Sequence, residues 1–378
     1  MEWTTSGKLL AYWVLLIGSG SILTLEAADQ PQLKLVSVVF RHGDRAPDPV
    51  EMFPKDPYYK YSFYPVGLSG LTNEGKLREY QLGKLLRKQY NDLLGDVYLP
   101  DSVLARSTDY KRTKMSLQLV LAALYPPKGL QVWNKQLNWQ PIPMTYETPD
   151  RDWLMIPEEC PEYLEERKKT ESLPEIQAKI ESIQGFLKNL TELTGKNFTI
   201  PNDIYNLYHI LIAESYMGLA IPQWTRGIFP HGKLLDGINL EYEMFSYSEA
   251  QRRLNGGKLL FNILEEMVAI KEGRSDKTRK MQLYSGHETN VAAVLQTLGI
   301  YKPHVPEYTS AVIVELYELN ARYFVKVFYY LGIPSTLVVQ KIPGCEVLCP
   351  LDKFLDLLKN VIPSKDELAC DKTKKSTN

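Results

Sequence analysis

The sequence predicts an α/β fold: an open, mostly parallel sheet with helices on both faces and a helical subdomain inserted into it. Three observations carry that prediction. The run LKLVSVVF at 33–40 is the β-branched stretch that a strand buried on both faces needs, and a helical pattern follows it. A second strand-then-helix unit begins at 102. From about 172 to 270 the periodicity is helical, before KMQLYSG at 280–286 returns to strand character.

Taken in order, the first helix is expected near NEGKLREYQLGKLLRKQYNDLL, 73–94. SVLARSTD, 102–109, is the second strand and opens the helix YKRTKMSLQLVLAALY, which Pro126 and Pro127 stop. In the middle block, Ser172 and Glu175 have capping-box spacing, and Ile176, Ile180, Ile183, Leu187 and Leu190 recur at intervals of four and three until Gly195. Further helical stretches are expected near 203–219 and 257–270. HETNVAAVLQTLG, 287–299, reads as a helix ended by Gly299. AVIVELYEL and RYFVKVFYYL, joined at Asn320 and Ala321, read as a late hairpin. The organisation that follows is a leader at 1–28, an α/β domain from 29–130 and 280–378, and a mainly helical insertion at 131–279.

With 378 residues, 44% hydrophobic and 11% aromatic, the chain can bury one large core or two modest ones. Its 44 basic and 45 acidic residues nearly cancel, which argues against a nucleic-acid or polyanion binder and leaves function to a local site. Lys8 precedes the apolar run LLAYWVLLIGSGSILTL, and small residues follow at Ala27 and Ala28, the pattern of a secretory signal. A retained membrane anchor is the alternative, but Gly18, Ser19, Gly20 and Ser21 dilute the run. The mature protein is therefore expected to be soluble, secreted and extracellular, with no membrane contact after signal removal. Cys160, Cys345, Cys349 and Cys370 favour two disulfides in that setting, and three pairings are open. Cys345 and Cys349 are close enough for a local loop, and no histidine stands at zinc-ligand spacing to any of the four. Asn189 and Asn197 head N-x-T sequons that fit the same pathway.

Ligands of open α/β sheets bind beyond the carboxyl ends of the strands. Three charged clusters fall there: Arg41-His42-Gly43-Asp44-Arg45, Arg106-Ser107-Thr108-Asp109 and His287-Glu288-Thr289. Arginine forks and helix N-termini fit phosphate oxygens, and such charge-assisted hydrogen bonds contribute about 1.5–3 kcal/mol each. His42, between two arginines, is expected to stay neutral and nucleophilic below its ordinary pKa. Glu288 can protonate a leaving oxygen, which favours acid solution.

RHGDRAP, with RSTD downstream and a late SGHET, resembles the histidine acid phosphatases, a family of phosphoglycerate-mutase-like fold, over nearly the whole mature chain. RTKMSLQLVLAALYPP, NWQPIP and IPGCEVLCPL are similar to insect venom acid phosphatases and, more distantly, to prostatic and lysosomal ones. The resemblance implies hydrolysis of small phosphomonoesters through a phosphohistidine at acidic pH. It makes His42 the nucleophile, Glu288 the proton donor in place of the family's usual aspartate, and Arg41, Arg45, Arg106 and His287 the phosphate grip. It also implies Cys160–Cys370 and Cys345–Cys349 pairing, no metal or other cofactor, and a helical cap over the site. A homodimer stays open.

Plainer roles compete for several of these residues. Asp44 is expected to shape its loop through an arginine ion pair, and Glu288 can simply stabilise a helix N-terminus. His209, His231 and His304 have no partner motif and read as structural or surface residues, while Tyr58, Tyr59, Tyr61 and Tyr64 either line an entrance or pack a loop. Two other functions are kept beside the acid phosphatase: a phytase-like enzyme acting on inositol phosphates, and a non-catalytic secreted anion binder or allergen.

Overall fold

The computed structural model describes residues 30–275 and 278–370. The expected leader lies outside the described residues. In chain order the elements are β1 (Gln32–Arg41), α1 (Asn73–Gln89), α2 (Asn91–Leu94), β2 (Val103–Ser107) and α3 (Lys111–Leu124). Seven helices follow: α4 (Pro161–Glu171), α5 (Pro174–Ser182), α6 (Gln184–Thr194), α7 (Pro201–Tyr216), α8 (Lys233–Phe245), α9 (Glu249–Leu254) and α10 (Gly256–Lys271). The chain ends with β3 (Met281–Gly286), α11 (Glu288–Thr297), β4 (Ala311–Leu319), β5 (Arg322–Tyr330), β6 (Leu337–Gln340), β7 (Cys349–Pro350) and α12 (Leu351–Leu358).

The strands form one sheet in the order β2-β3-β1-β4-β5-β6, with β7 added against β5. The pairs β2–β3 and β3–β1 are parallel, and the late hairpin continues the sheet antiparallel from β1. Both faces are covered, which is why β1 is apolar in both phases of its pleat. On one face Val36, Val38 and Phe40 meet Leu82 and Leu86 of α1 and Leu117 and Leu121 of α3. On the other, Leu35 and Val39 meet Leu260, Ile263, Val291, Val294 and Phe354 of α10, α11 and α12. The expected α/β class, with helices on both faces of an open sheet, is the one the chain adopts, but the sheet is mixed: among the described residues β1–β3 and β2–β3 pair parallel, while β1–β4, β4–β5, β5–β6 and β5–β7 pair antiparallel. Asn320 and Ala321, with φ of 50° and 57°, turn the hairpin where it was anticipated.

The helical segment builds a further core from Leu187, Leu190, Ile204, Leu211 and Ile238, which reaches Phe53 and, on α11, Ala292. That contact sets α7 beside the start of α11. One expected cap is corrected: Ser172 closes α4, its hydroxyl donating to the Lys168 carbonyl at 2.8 Å, and Pro174 starts α5 instead. The Ile/Leu stripe is accordingly shared by two helices, with Gly195 ending the second at φ 74°. Cys160 bonds Cys370 across 210 residues and Cys345 bonds Cys349, which leaves no thiolates for the zinc alternative among these four.

Candidate active site

Strand register gathers the three charged clusters. Arg41 is paired with Gly286 and Ser107 with Ser285, so β1, β2 and β3 release their following residues at one edge. Two backbone bonds stitch those loops together: His42 N–H to the Gly286 carbonyl at 3.0 Å and Thr108 N–H to the Ser285 carbonyl at 3.1 Å. Glycine is required at two of these places. A Cβ on Gly43 would lie 2.4 Å from the Gly75 carbonyl of α1, and one on Gly286 would lie 2.3 Å from Asn290 Oδ1. Asn290 is committed there, accepting from His287 N–H at 2.9 Å and donating to the Met155 carbonyl at 2.7 Å.

His42 is buried, and two contacts select its tautomer. Its Nδ1 lies 2.8 Å from the Gly43 carbonyl, which can only accept, so Nδ1 carries the proton. Nε2 then holds the lone pair and receives Arg112 Nε–H at 3.1 Å. Burial, followed by the charges of Arg112, Arg41, His287 and Arg45, holds the imidazole well below its usual pKa. The ring is thus a neutral base whose free nitrogen is set among arginines.

Three buried arginines surround it, each facing a carboxylate. Arg41 Nε is 3.3 Å from Glu288 Oε2, Arg45 grips Glu51 with both terminal nitrogens, and Arg112 Nη1 is 3.3 Å from Asp48 Oδ2. Arg41 also donates to the Pro306 carbonyl at 2.6 Å and lies 4.1 Å over the Tyr308 ring. Its Nη2 and the Nε of Arg45 are buried with no hydrogen bond among the described residues, which leaves each a donor to spare.

Glu288 is the first residue of α11 and is buried. Burial pushes its carboxyl up, but Arg41, His209, His287 and the Tyr205 hydroxyl that donates to Oε1 together hold it well below the usual carboxylate range. His287 is also buried; burial, then Arg112, hold it near pKa 3 against the opposing charge of Glu288. Its Nε2 is 3.1 Å from the Thr108 hydroxyl, and its ring meets that of His42 edge-on at 5.6 Å.

A cavity of about 350 Å³ opens on this cluster, lined by His42, Arg45, Arg112, His287 and Glu288 among others. A larger one, about 780 Å³, lies between α5 and α8 and carries none of the expected site residues. Arg41 is not among the lining residues, but its partner Glu288 is. Arg106 does not take the place expected of it: its Nη2 is bound to Asp152 at 2.7 Å and it is not on the cavity wall. Arg112 occupies that role's position, because the first turn of α3 carries it to His42 while the strand residue Arg106 faces Asp152.

The sequence signal for Arg112 was available, an arginine in the first turn of the helix that follows RSTD. Tyr205 and His209 had none. His209, read as structural or surface, is buried, with Nε2 3.5 Å from Glu288 Oε1. Asp44 takes its expected supporting role, paired with Arg78 at 3.0 Å. His304 bonds the Tyr329 hydroxyl at 2.8 Å and is structural. The tyrosine loop packs on itself, Tyr58 against Tyr61 and Tyr61 against Phe63, and is not on the cavity wall.

The model of the histidine phosphatase superfamily, branch 2, matches residues 32–330. A venom acid phosphatase of Apis mellifera is 49% identical over 353 residues, 93% of this chain and 91% of that protein. A prostatic acid phosphatase of Rattus norvegicus is 35% identical over 92% of this chain and 91% of that protein. Among solved structures, the Hafnia alvei phytase superposes with a TM-score of 0.66 at 18% identity, over 90% of this chain and 98% of that chain, a likeness of fold.

Proposed function

We propose that this chain, which belongs to branch 2 of the histidine phosphatase superfamily, hydrolyses phosphomonoesters in two steps through a phosphohistidine on His42. The observation that carries the reading is the neutral His42 ring, its Nε2 lone pair set among buried arginine donors. Nε2 attacks phosphorus as the ester P–O bond breaks, and the departing alkoxide takes a proton from Glu288. Glu288, then a carboxylate, removes a proton from water, whose oxygen attacks phosphorus; phosphate leaves and Nε2 regains its lone pair. Arg41, Arg45 and Arg112 neutralise charge on the three equatorial oxygens.

The resting charge of Glu288 suits the second step. For the first it needs a proton, and the substrate supplies both the proton and the field to hold it. Below about pH 6 a phosphomonoester retains one proton. A phosphoryl group drawn to Arg41 also weakens the ion pair that keeps Glu288 ionised. This coupling is the physical basis for an acidic optimum.

The leader pattern, the two disulfides, the exposed sequon residues Asn189 and Asn197, and the venom relative support a secreted glycoprotein. The deciding experiment is a panel of phosphomonoesters assayed at acidic pH, with trapping of an acid-labile phosphohistidine. Turnover that disappears in His42→Ala is expected. Full activity in that variant would overturn the mechanism, and phosphate binding without turnover would favour the non-catalytic binder.

A further inference from the structure

We propose that the outer wall of the cavity selects phosphomonoesters whose alcohol carries an amine or ammonium group a few atoms from the ester oxygen, with Glu158 recognising the cation. The inference rests on the phosphatase reading and adds the chemistry of the leaving group.

The positive charge of the cavity is confined to its floor. Among the described residues that line it, Arg45 and Arg112 are the only arginines and no lysine occurs, and both face carboxylates of their own. Glu158 lines the same cavity, its residue surface is exposed, and it forms no salt bridge among the described residues; desolvation first, with Glu159 and Glu288 nearby, raises its carboxyl above the usual value against the opposing charge of Arg167. It belongs to the turn Pro157–Glu159, held where Glu159 N–H meets the Ile156 carbonyl at 3.2 Å and Cys160 N–H meets the Pro157 carbonyl at 2.8 Å. The Cys160 disulfide anchors the end of that turn, so Glu158 is presented from fixed backbone.

The other groups on this wall are neutral: Asn202 and Asn206 of α7, Phe245 and Thr289. Arg167 lies over the Phe245 ring at 5.0 Å, but it is bound by Glu171 at 2.7 Å and Glu241 at 2.8 Å, so the surroundings of Glu158 stay acidic. A leaving group bearing an ammonium ion meets there the Glu158 carboxyl, which it favours in its ionised form, and amide oxygens. One bearing a second phosphate meets the same carboxylate with no cation to offset it, which disfavours inositol polyphosphates.

The test compares kcat/KM for 2-aminoethyl phosphate and the similarly sized propyl phosphate at low ionic strength, in the unmodified protein, Glu158→Gln and Glu158→Lys. The readout is the ratio of the two substrates in each variant relative to the unmodified protein, which cancels leaving-group acidity and any loss common to both. Glu158→Gln is expected to lower the ratio roughly threefold to tenfold and Glu158→Lys to lower it further, with salt eroding the difference. A ratio unmoved by either variant overturns the proposal. Failure of the unmodified protein on every monoester, including p-nitrophenyl phosphate, would instead refute the phosphatase reading.

Discussion

Each arginine around His42 faces a carboxylate, so a phosphoryl group entering the site exchanges partners rather than meeting bare charge. The exchange matters most at Arg112, which touches both Asp48 and the His42 lone pair. Arg112→Gln is expected to lower kcat/KM by about two to three orders of magnitude, the usual loss when a transition-state donor is removed. It should also move the acid limb of the pH profile. In the proposed mechanism His42 reacts only when neutral, and the positive charge of Arg112 helps hold its pKa well below its usual value. Removing that charge raises the pKa, so activity is lost at a higher pH as the solution is acidified; a kcat/KM profile of the variant checks the direction. At Glu288, substitution by Gln should slow esters of poor leaving groups by about 10²–10⁴ and activated aryl phosphates far less. Equal losses in a two-substrate assay would remove it as the acid.

The crossing between the loop after β1 and the start of α1 is the least tolerant junction of elements. Gly43 would direct a Cβ to 2.4 Å from the Gly75 carbonyl, and Gly75 would direct one to 2.3 Å from the Asp44 carbonyl. Backbone on backbone cannot yield as a side-chain tip can. Gly43→Ala and Gly75→Ala are each expected to cost about 2 kcal/mol or more, read from denaturant midpoints at unchanged m. Elsewhere the elements were legible from pattern alone: β1, the helix stopped by Pro126 and Pro127, and the late hairpin fall where their residues place them. Ser172 shows the limit of that method. Its spacing to Glu175 matches a capping box, yet the preceding helix already extends to Glu171 and Pro174 takes the first position of the next.

For the molecule as a whole, the two disulfides act on very different spans. The loop-entropy relation gives about 5 kcal/mol for the 210-residue separation of Cys160 and Cys370 and about 2 kcal/mol for Cys345–Cys349. Cys160→Ala/Cys370→Ala should therefore lower stability by more than Cys345→Ala/Cys349→Ala in chemical denaturation. The carboxyl of Glu214 on α7 is a second whole-molecule determinant, because it is fully buried near that of Asp56. Burial first, then the neighbouring Asp56 carboxyl, push the Glu214 carboxyl up to about 9. A carboxyl whose folded pKa is raised binds its proton more tightly when folded, so the contribution is full below the ordinary carboxylate range and is lost as pH rises toward about 9. Glu214→Gln should flatten the decline of Tm across that interval. An unchanged slope would mean that other groups set the alkaline limit.

By itself the sequence determined the α/β class, most elements and the expectation that His42, Arg41, Arg45, His287 and Glu288 come together at one end of the strands. Those follow from local pattern: β-branched runs, proline stops, and charge placed at strand ends. Only the tertiary structure decided which arginine meets His42 and what surrounds Glu288. Arg106 and Arg112 are six residues apart, and the choice between them depends on where β2 ends and how the first turn of α3 faces. Tyr205 and His209 reach Glu288 from more than seventy residues away, because the core that joins α7 to α11 is made of contacts distant in sequence, which no local pattern encodes.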